Sequence, residues 1–286
     1  MKIENLKNKI PEVKAVANVI VQLHGHTKKF AKHIVAFAIK QMQHLTDREL
    51  AEFVGTNIIG KMLGYKGIPH FSIFSKVRKR SDPEILHELY NAIIQEKYRG
   101  RQLCLIAQDG TDVPAHSRKD ANAKWGYRTP SKREQENAKG NANTLFVGYK
   151  LHAIADAENE IPLTFWISPA NMNEKKTFRK LFEDVRRRFH LTFGAKYLGD
   201  SAYDSSDVKE ELRYNGVKPV IAINGRRFRK SETPKDPEYG RRWAIERIFS
   251  RLKEVFGLGR NRFIGIKRVT IHIYSCLLAY LITYLM

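Results

Sequence analysis

Three acidic residues stand out by where they fall in the chain. Asp109 follows the apolar run 102–108 (QLCLIAQ) and precedes Gly110-Thr111, and Asp200 follows residues 195–199 (AKYLG). Each is expected at a strand end, where a carboxylate faces open space instead of a solvated helix surface. Glu246 falls in a helix expected to open at Asp236-Pro237-Glu238. Asp236 suits its N-cap, Pro237 its first position and Gly257 its stop. Within that helix Tyr239, Arg242, Glu246 and Lys253 stand at i, i+3, i+7 and i+14, a sector of roughly 60° at about 100° per residue. Ile245, Ile248, Phe249, Leu252 and Phe256 make the adjoining apolar stripe. Such a helix can bury one flank on a sheet and point an acid and its basic neighbours into a cleft. Three carboxylates converging on two divalent ions would activate an attacking oxygen and stabilise a leaving oxygen, the chemistry of phosphodiester cleavage. Mg²⁺ takes such carboxylates together with water and phosphate oxygens.

Each acid also has a plainer reading. Asp109 and Asp200 taken singly are equally well turn residues or N-caps. Asp112 and Asp204 are second choices, beyond the expected strand ends, and Asp156 reads as an ordinary hairpin-turn residue. The helix around Glu246 is, at its plainest, a basic amphipathic helix with one glutamate.

The elements that must position these groups follow from periodicity. Residues 1–100 read as helical. Thr46 and Glu49 form a capping box at the head of 45–53. Residues 69–80 end in the basic cluster Arg78-Lys79-Arg80, and a helix over 84–97 has Pro83 in its first turn. From residue 101 the pattern changes to strands at 102–108, 145–155 and 161–167, with Asn159 the expected turn residue. A helix over 174–189 buries Phe178, Leu181, Phe182 and Val185. A strand at 195–199, a helix at 206–214 ended by Asn215-Gly216, a strand at 217–223 and the Glu246 helix follow. A strand meander followed by alternating helix and strand is the order of an RNase H-like α/β domain, here over 101–286, behind a helical domain over 1–100. A basic insertion, 115–143, carries Trp125-Gly126-Tyr127-Arg128; a loop that long in a compact domain is usually functional or disordered.

Charge narrows the partner. The chain carries 51 Lys+Arg against 30 Asp+Glu, a formal +21, so its summed field draws polyanions. From 218 to 268 there are fifteen Lys/Arg and five Asp/Glu. Arg226-Arg227-Phe228-Arg229-Lys230 and Arg260-Asn261-Arg262-Phe263 interleave basic and aromatic groups, as suits backbone contacts and stacking on nucleic acid. With Arg78, Lys79 and Arg80 they are the expected DNA-binding residues. Cys104 and Cys276, far apart and without a CxxC, offer no zinc site and are expected as buried thiols in a reducing compartment. No apolar leader opens the chain. The apolar run 269–286 is at the lower limit for a membrane span but is diluted by His272, Ser275 and Thr283, and is expected in the core. No P-loop or other nucleotide-cofactor motif is present.

Tyr239-x2-Arg242-x3-Glu246-x6-Lys253 resembles the Y-R-E-K pattern of bacterial and archaeal insertion-sequence DDE transposases. Ala107-Gln108-Asp109-Gly110-Thr111 resembles the first-aspartate strand of that family. Gly199-Asp200-Ser201-Ala202-Tyr203-Asp204-Ser205 resembles its second-aspartate motif. Gly148-Tyr149-Lys150-Leu151-His152 with Ser168-Pro169-Ala170-Asn171 resembles the meander between them. The stretches 46–50 and 69–80 resemble its N-terminal domain, so the resemblance covers nearly the whole chain.

The resemblance implies a cut-and-paste enzyme in which Asp109, Asp200 and Glu246 hold two Mg²⁺ or Mn²⁺ ions. Arg242 and Lys253 would contact phosphates near the cleaved end, and Tyr239 would position the terminal nucleotides. DNA, as transposon terminal repeats and target, would be the partner of a homodimer in a synaptic complex, in a prokaryotic cytoplasm. Some relatives hold a flipped base on a tryptophan. Trp125, Trp166 and Trp243 are the candidates, with Trp166 and Trp243 more at home in the core. Two alternatives stay open: an RNase H-like nuclease that cuts without joining, and a non-catalytic DNA-binding protein derived from a transposase.

Overall fold

The computed structural model describes residues 3–127, 145–172, 174–225 and 232–286. Contacts divide the chain into two compact units: Met1–Arg99 with Arg251–Met286, and Gly100–Ser250. The last residues, which the sequence alone groups with the strands, therefore pack with the N-terminal helices.

The first unit is helical, with α1 (Ile3–Leu23), α2 (Lys28–Met42), α3 (Asp47–Thr56), α4 (Ile58–Leu63), α5 (Ser72–Arg80) and α6 (Pro83–Lys97). The capping box forms: Thr46 Oγ1 accepts from Glu49 N, and a Glu49 carboxylate oxygen accepts from Thr46 N. Asp82 caps α6 by accepting from Glu84 N, with Pro83 in the first turn. Leu6, Ile10, Val13, Ala17 and Val21 give α1 its single buried stripe, the spacing of an amphipathic helix. The apolar C-terminal run becomes α10 (Ile266–Tyr284), which packs on α6 and α2 and is buried almost all round between Val269 and Ile282. Its apolarity is thus that of a central helix, each buried leucine contributing about 1.5–3 kcal/mol. No helix among the described residues is long and apolar enough to cross a membrane.

The second unit is built on one mixed sheet. Its strands are β1 (Gln102–Pro114), β2 (Lys124–Tyr127), β3 (Leu145–Asp156), β4 (Ile161–Pro169), β5 (His190–Gly199) and β6 (Lys218–Ile221). β1 runs antiparallel to β3 and parallel to β5, and β6 is parallel to β5. β4 pairs antiparallel with residues 149–156 of β3, and β2 with residues 145–148. The order β4-β3-β1-β5-β6, an antiparallel meander followed by two parallel strands, is the RNase H-like arrangement. β2 is drawn from the basic insertion and meets the end of β4 closely: a Cβ on Gly126 would lie 2.6 Å from Ala170 Cβ.

α7 (Glu174–Arg188) buries Phe178, Leu181, Phe182 and Val185 and packs on β3 and β4. Asp184 pins it there, accepting from Thr164 Oγ1 at 2.5 Å and from Arg188, whose guanidinium also donates to Leu163 O at 2.9 Å. α8 (Ser206–Tyr214) is capped by Ser205 and ends at Gly216, whose φ of 71° needs no side chain. In the β3–β4 turn Asp156 accepts from the backbone N–H groups of Glu158 and Asn159 and from the Asn159 side chain. Asn159 lies in that turn as expected, and Glu160 beside it takes the left-handed conformation, φ 57°. Cys104 is exposed, not buried, because β1 turns it away from its buried neighbours Leu103 and Leu105; Cys276 is buried.

The helical unit carries its own pH sensitivity. Burial holds both His33 and His272 down to about 4, with nearby lysines adding to the effect. Tyr65 Oη sits 2.7 Å from His33 Nδ1, an acceptor in the neutral ring. Both rings stay neutral in the fold but take a proton below about 6.5 once unfolded. Stability from them is complete above pH 6.5 and is lost as pH falls toward 4, at about 1.4 kcal/mol per unit for the fully buried His272. Urea denaturation followed by helical circular dichroism should show a lower midpoint at pH 5 than at pH 7.5; equal midpoints would contradict this.

Candidate active site

Asp109 and Asp200 are brought level by the parallel pairing of β1 and β5. Ala107 pairs with Leu198, so two residues on, each strand places its aspartate at the same height and on the same side. Asp109 is not the last residue of its strand, as its sequence context suggests. β1 continues to Pro114 against β3, and Asp109 marks the point where β1 outruns β5. That opening beside a continuing strand exposes the acid while holding its backbone. Asp109 Oδ1 accepts from Gly110 N at 2.7 Å. Asp200 caps the 3-10 turn Ser201–Tyr203, accepting from Ala202 N at 2.9 Å.

Glu246 arrives on α9 (Trp243–Glu254). That helix does not open at Asp236-Pro237. Tyr239–Arg242 form a 3-10 turn first, and the α-helix starts at Trp243. Asp236 caps the turn, its Oδ1 accepting from Glu238 N at 3.0 Å, and it is also paired to two lysines: Lys196 of β5 at 3.0 Å and Lys218 of β6 at 3.1 Å. Lys196 also reaches Glu238 at 2.7 Å. The hydrogen bond from Lys196 leads the effects that hold the Asp236 carboxyl down to about 2. These pairs are partly open to solvent and individually worth little, but together they strap the 3-10 turn to the sheet. Beyond the turn, Arg247 grips Glu160 of the β3–β4 turn at 2.6 Å through two nitrogens. The neighbouring Glu246 is thereby fixed in rotation.

The result is a cluster around one guanidinium. Arg242 Nη2 lies 2.6 Å from Glu246 Oε1, and its Nη1 lies 3.7 Å from Asp109 Oδ2. Burial works against the Arg242 charge, but Glu246, Asp109, the Tyr239 phenol and Asp200 outweigh it and raise its pKa. Tyr239 packs near the Arg242 guanidinium, 6.0 Å from ring centre to Cζ, and burial chiefly raises its phenol. Of the three acids that the sequence singles out, Glu246 pairs with Arg242, Asp109 lies 3.7 Å from it, and the charge of Asp200 adds to the field that favours its protonated form. Glu246 is the most open, its side chain 48% exposed.

Below them lies a buried polar chain with no signal in the sequence. Tyr197 Oη donates to Gln108 Oε1 at 2.9 Å, and Gln108 Nε2 donates to Thr177 Oγ1 at 3.4 Å. Burial, then the charges of Asp200 and Asp109, push the Tyr197 phenol up. Periodicity cannot register such pairings because they join residues far apart in the chain.

Of the second-choice acids, Asp112 stands half-buried within β1 opposite Lys150 of β3. Asp204 is buried, accepting from Lys209 Nζ at 2.5 Å and Asn224 N at 3.0 Å, and Asp156 organises its turn. Lys253 stands on α9 beyond the division at Ser250. Arg78 is 4% exposed and bonded to Asp47, so it is turned inward, not toward a ligand, while Lys79 and Arg80 are exposed. Arg260 and Arg262 are exposed, and Arg226, Arg227, Arg229 and Lys230 lie outside the described residues. Trp243, expected in the core, is 61% exposed, because as the first residue of α9 it precedes the buried stripe that begins at Ala244 and Ile245. Trp125 is exposed too, and Trp166 is half-buried with Lys180 Nζ 3.8 Å above its ring.

By chemistry the donor set suits a hard divalent cation, since it consists of carboxylate oxygens that outnumber the one guanidinium beside them. By position the acids are spread around that guanidinium: among the described residues no three acidic, histidine or cysteine side chains are closed on one point.

Residues 100–282 match the transposase DDE domain family, well over half of the chain and all of the strands and acids described. The chain belongs to the DDE transposase family. No curated protein matches it. Among solved structures, the cryo-EM structure of the piggyBac transposase synaptic complex with hairpin DNA is similar at a TM-score of 0.37 and 10% identity. That similarity covers 76% of this chain and 48% of that one, so this chain spans about half the length of the piggyBac protein.

The buried chain of Tyr197, Gln108 and Thr177 gives a stability test. Tyr197→Phe leaves Gln108 Oε1 without its donor in the core and should cost about 1–3 kcal/mol by urea denaturation. An unchanged midpoint would mean that the Tyr197–Gln108 bond is not formed in solution.

Proposed function

We propose that this protein is a cut-and-paste transposase that cleaves DNA at transposon ends and joins the freed ends to target DNA. The observation that carries the proposal is that Glu246 and Asp109 flank Arg242 while Asp200 lies level with Asp109 on the paired strand. In this reading the three carboxylates hold two Mg²⁺ or Mn²⁺ ions, which supply activation of the attacking oxygen and neutralisation of the leaving one. Glu246 is the most exposed of the three and already paired to a cation, so it is the ligand that exchanges partners when a divalent ion binds.

Arg242 then has a second anion to serve. A guanidinium among carboxylates is placed to take a phosphate oxygen of the strand being cut. Tyr239, beside it, orients the terminal nucleotide, and Lys253 adds a point charge along the same helix. Exposed Trp243 and Trp125 offer rings on which an unstacked base can rest. The helical unit presents Lys79 and Arg80 to DNA, and the two transposon ends call for a homodimer. A prokaryotic cytoplasm, with the enzyme on chromosome or plasmid DNA, is the compartment that goes with this reading.

The test uses a plasmid carrying the gene's native flanking DNA, with Mg²⁺ or Mn²⁺. Wild type should cut at the flanks and give joined products. Glu246→Gln keeps size but removes one charge. It should bind the same DNA and cut at least about a hundredfold more slowly, the scale of losing one transition-state charge contact. Equal cutting by both proteins would remove Glu246 from the site. Cutting without joined products would leave a nuclease, and binding without cutting by a folded wild type would leave a non-catalytic DNA-binding protein.

A further inference from the structure

The helical unit contains a cavity of about 330 Å³ that lies wholly within residues 1–99 and 251–286. Its walls are the end of α2, the link into α3, and the loop that leads from Gly257 to α10. Lys40, Arg260 and Arg262 line it, and the only acid on its lining is Asp47. That acid is already engaged. Asp47 Oδ1 lies 2.5 Å from Lys40 Nζ and 3.1 Å from Arg78 Nη2, and its Oδ2 accepts from Arg78 Nη1 at 3.3 Å.

Behind the wall Arg78 is fixed rigidly. Its guanidinium lies 4.9 Å from the Phe37 ring centre and 4.5 Å from that of Phe263. Two cations thus share one carboxylate, while Arg260 and Arg262 make no ion pair among the described residues. His272, on the lining, stays neutral and offsets nothing. A half-enclosed concavity with surplus cations and no free acid is a seat for an anion, since partial burial keeps solvent from screening the charge. Two arginines and a lysine beside a phenylalanine ring suit one anion in particular, a phosphate group next to a planar base.

We propose that this cavity binds a backbone phosphate of a DNA strand, with Arg260 and Arg262 as its outer donors and Lys40, tethered by Asp47, as its inner one. Resting on the reading of the protein as a DNA transposase, the assignment places a defined phosphate seat in the helical unit. It also explains why Arg78 is buried: Arg78 builds the seat instead of touching the ligand.

The test is binding of a labelled duplex carrying the native flanking sequence, measured by fluorescence anisotropy over a range of salt. Arg260 and Arg262 are both exposed, so R260A/R262A should fold as wild type does. Removing one phosphate-binding cation lowers the slope of log K against log salt by about 0.9, so the double variant should lower it by about one to two. Lys61→Ala, an exposed charge of the same unit outside the cavity, should leave it unchanged. Adding inorganic phosphate at constant ionic strength should displace the duplex from wild type and have less effect on R260A/R262A.

A wild-type slope in the double variant overturns the proposal, as does an equal change in Lys61→Ala. Stabilisation of the protein by inorganic phosphate without any change in the DNA slope would mean a free-anion site, and also overturns it. Wild type that binds and cuts the duplex while the double variant keeps its slope defeats the cavity alone. Wild type that binds no duplex defeats the transposase reading with it.

Discussion

The electrostatics of carboxylates spread around one guanidinium govern the design of the sheet unit. Like charges brought together raise each other's pKa or drive the groups apart, and the fold answers with one guanidinium in their midst. Arg242 is partly buried, which alone would disfavour its charge, yet its pKa is raised because the acids around it more than compensate. The arrangement is balanced rather than neutral, since one cation serves several anions. Such a cluster has an intrinsic appetite for further positive charge, and the family's chemistry supplies a use for it.

The rest of the unit keeps that cluster in register. Parallel pairing of β1 with β5 puts Asp109 and Asp200 level, and the longer run of β1 against β3 keeps the Asp109 backbone from fraying. The third acid comes from a helix distant in sequence, so it needs its own moorings. Lys196 and Lys218 hold Asp236 ahead of the helix, and Arg247 holds Glu160 just past Glu246. None of these ion pairs contributes much alone. Their value is geometric, since they fix the rotation of a helix whose face would otherwise be set only by apolar packing. The same device recurs in the helical unit, where Asp47 ties Lys40 to Arg78 and shapes a cavity.

Much of this is legible from residue order because it depends on local pattern. The capping box at Thr46, the Pro83 helix start, the buried face of α7 and the Asn215-Gly216 stop all rest on neighbours within a turn or two. The acids are legible for a similar reason: short apolar runs ending in Asp109 and Asp200, and an i, i+3, i+7 array around Glu246. What fails to show is tertiary. Nothing local tells that β1 continues past Asp109, since its extension is stabilised by pairing with β3. Nothing local tells that Asp236, which accepts from Glu238 N as a cap does, also pairs with lysines of β5 and β6, or that a 3-10 turn precedes the α-helix and leaves its start at Trp243. Arg78 looks like one more member of a basic cluster until Asp47, Phe37 and Phe263 are seen to enclose it. The C-terminal run is apolar enough to be ambiguous, and only its packing among α2 and α6 identifies it as a central helix.

The most direct test of the central claim is Mn²⁺ binding by isothermal titration, without DNA, to wild type and to Asp109→Asn, Asp200→Asn, Glu246→Gln and Arg242→Gln. If the three carboxylates form one site with Arg242 as their resident counter-charge, each acid substitution weakens Mn²⁺ binding by tenfold or more, about 1.4 kcal/mol. Arg242→Gln, which removes a competing positive charge, strengthens it. Binding that survives neutralisation of any one acid, or that weakens when Arg242 is removed, would contradict the account.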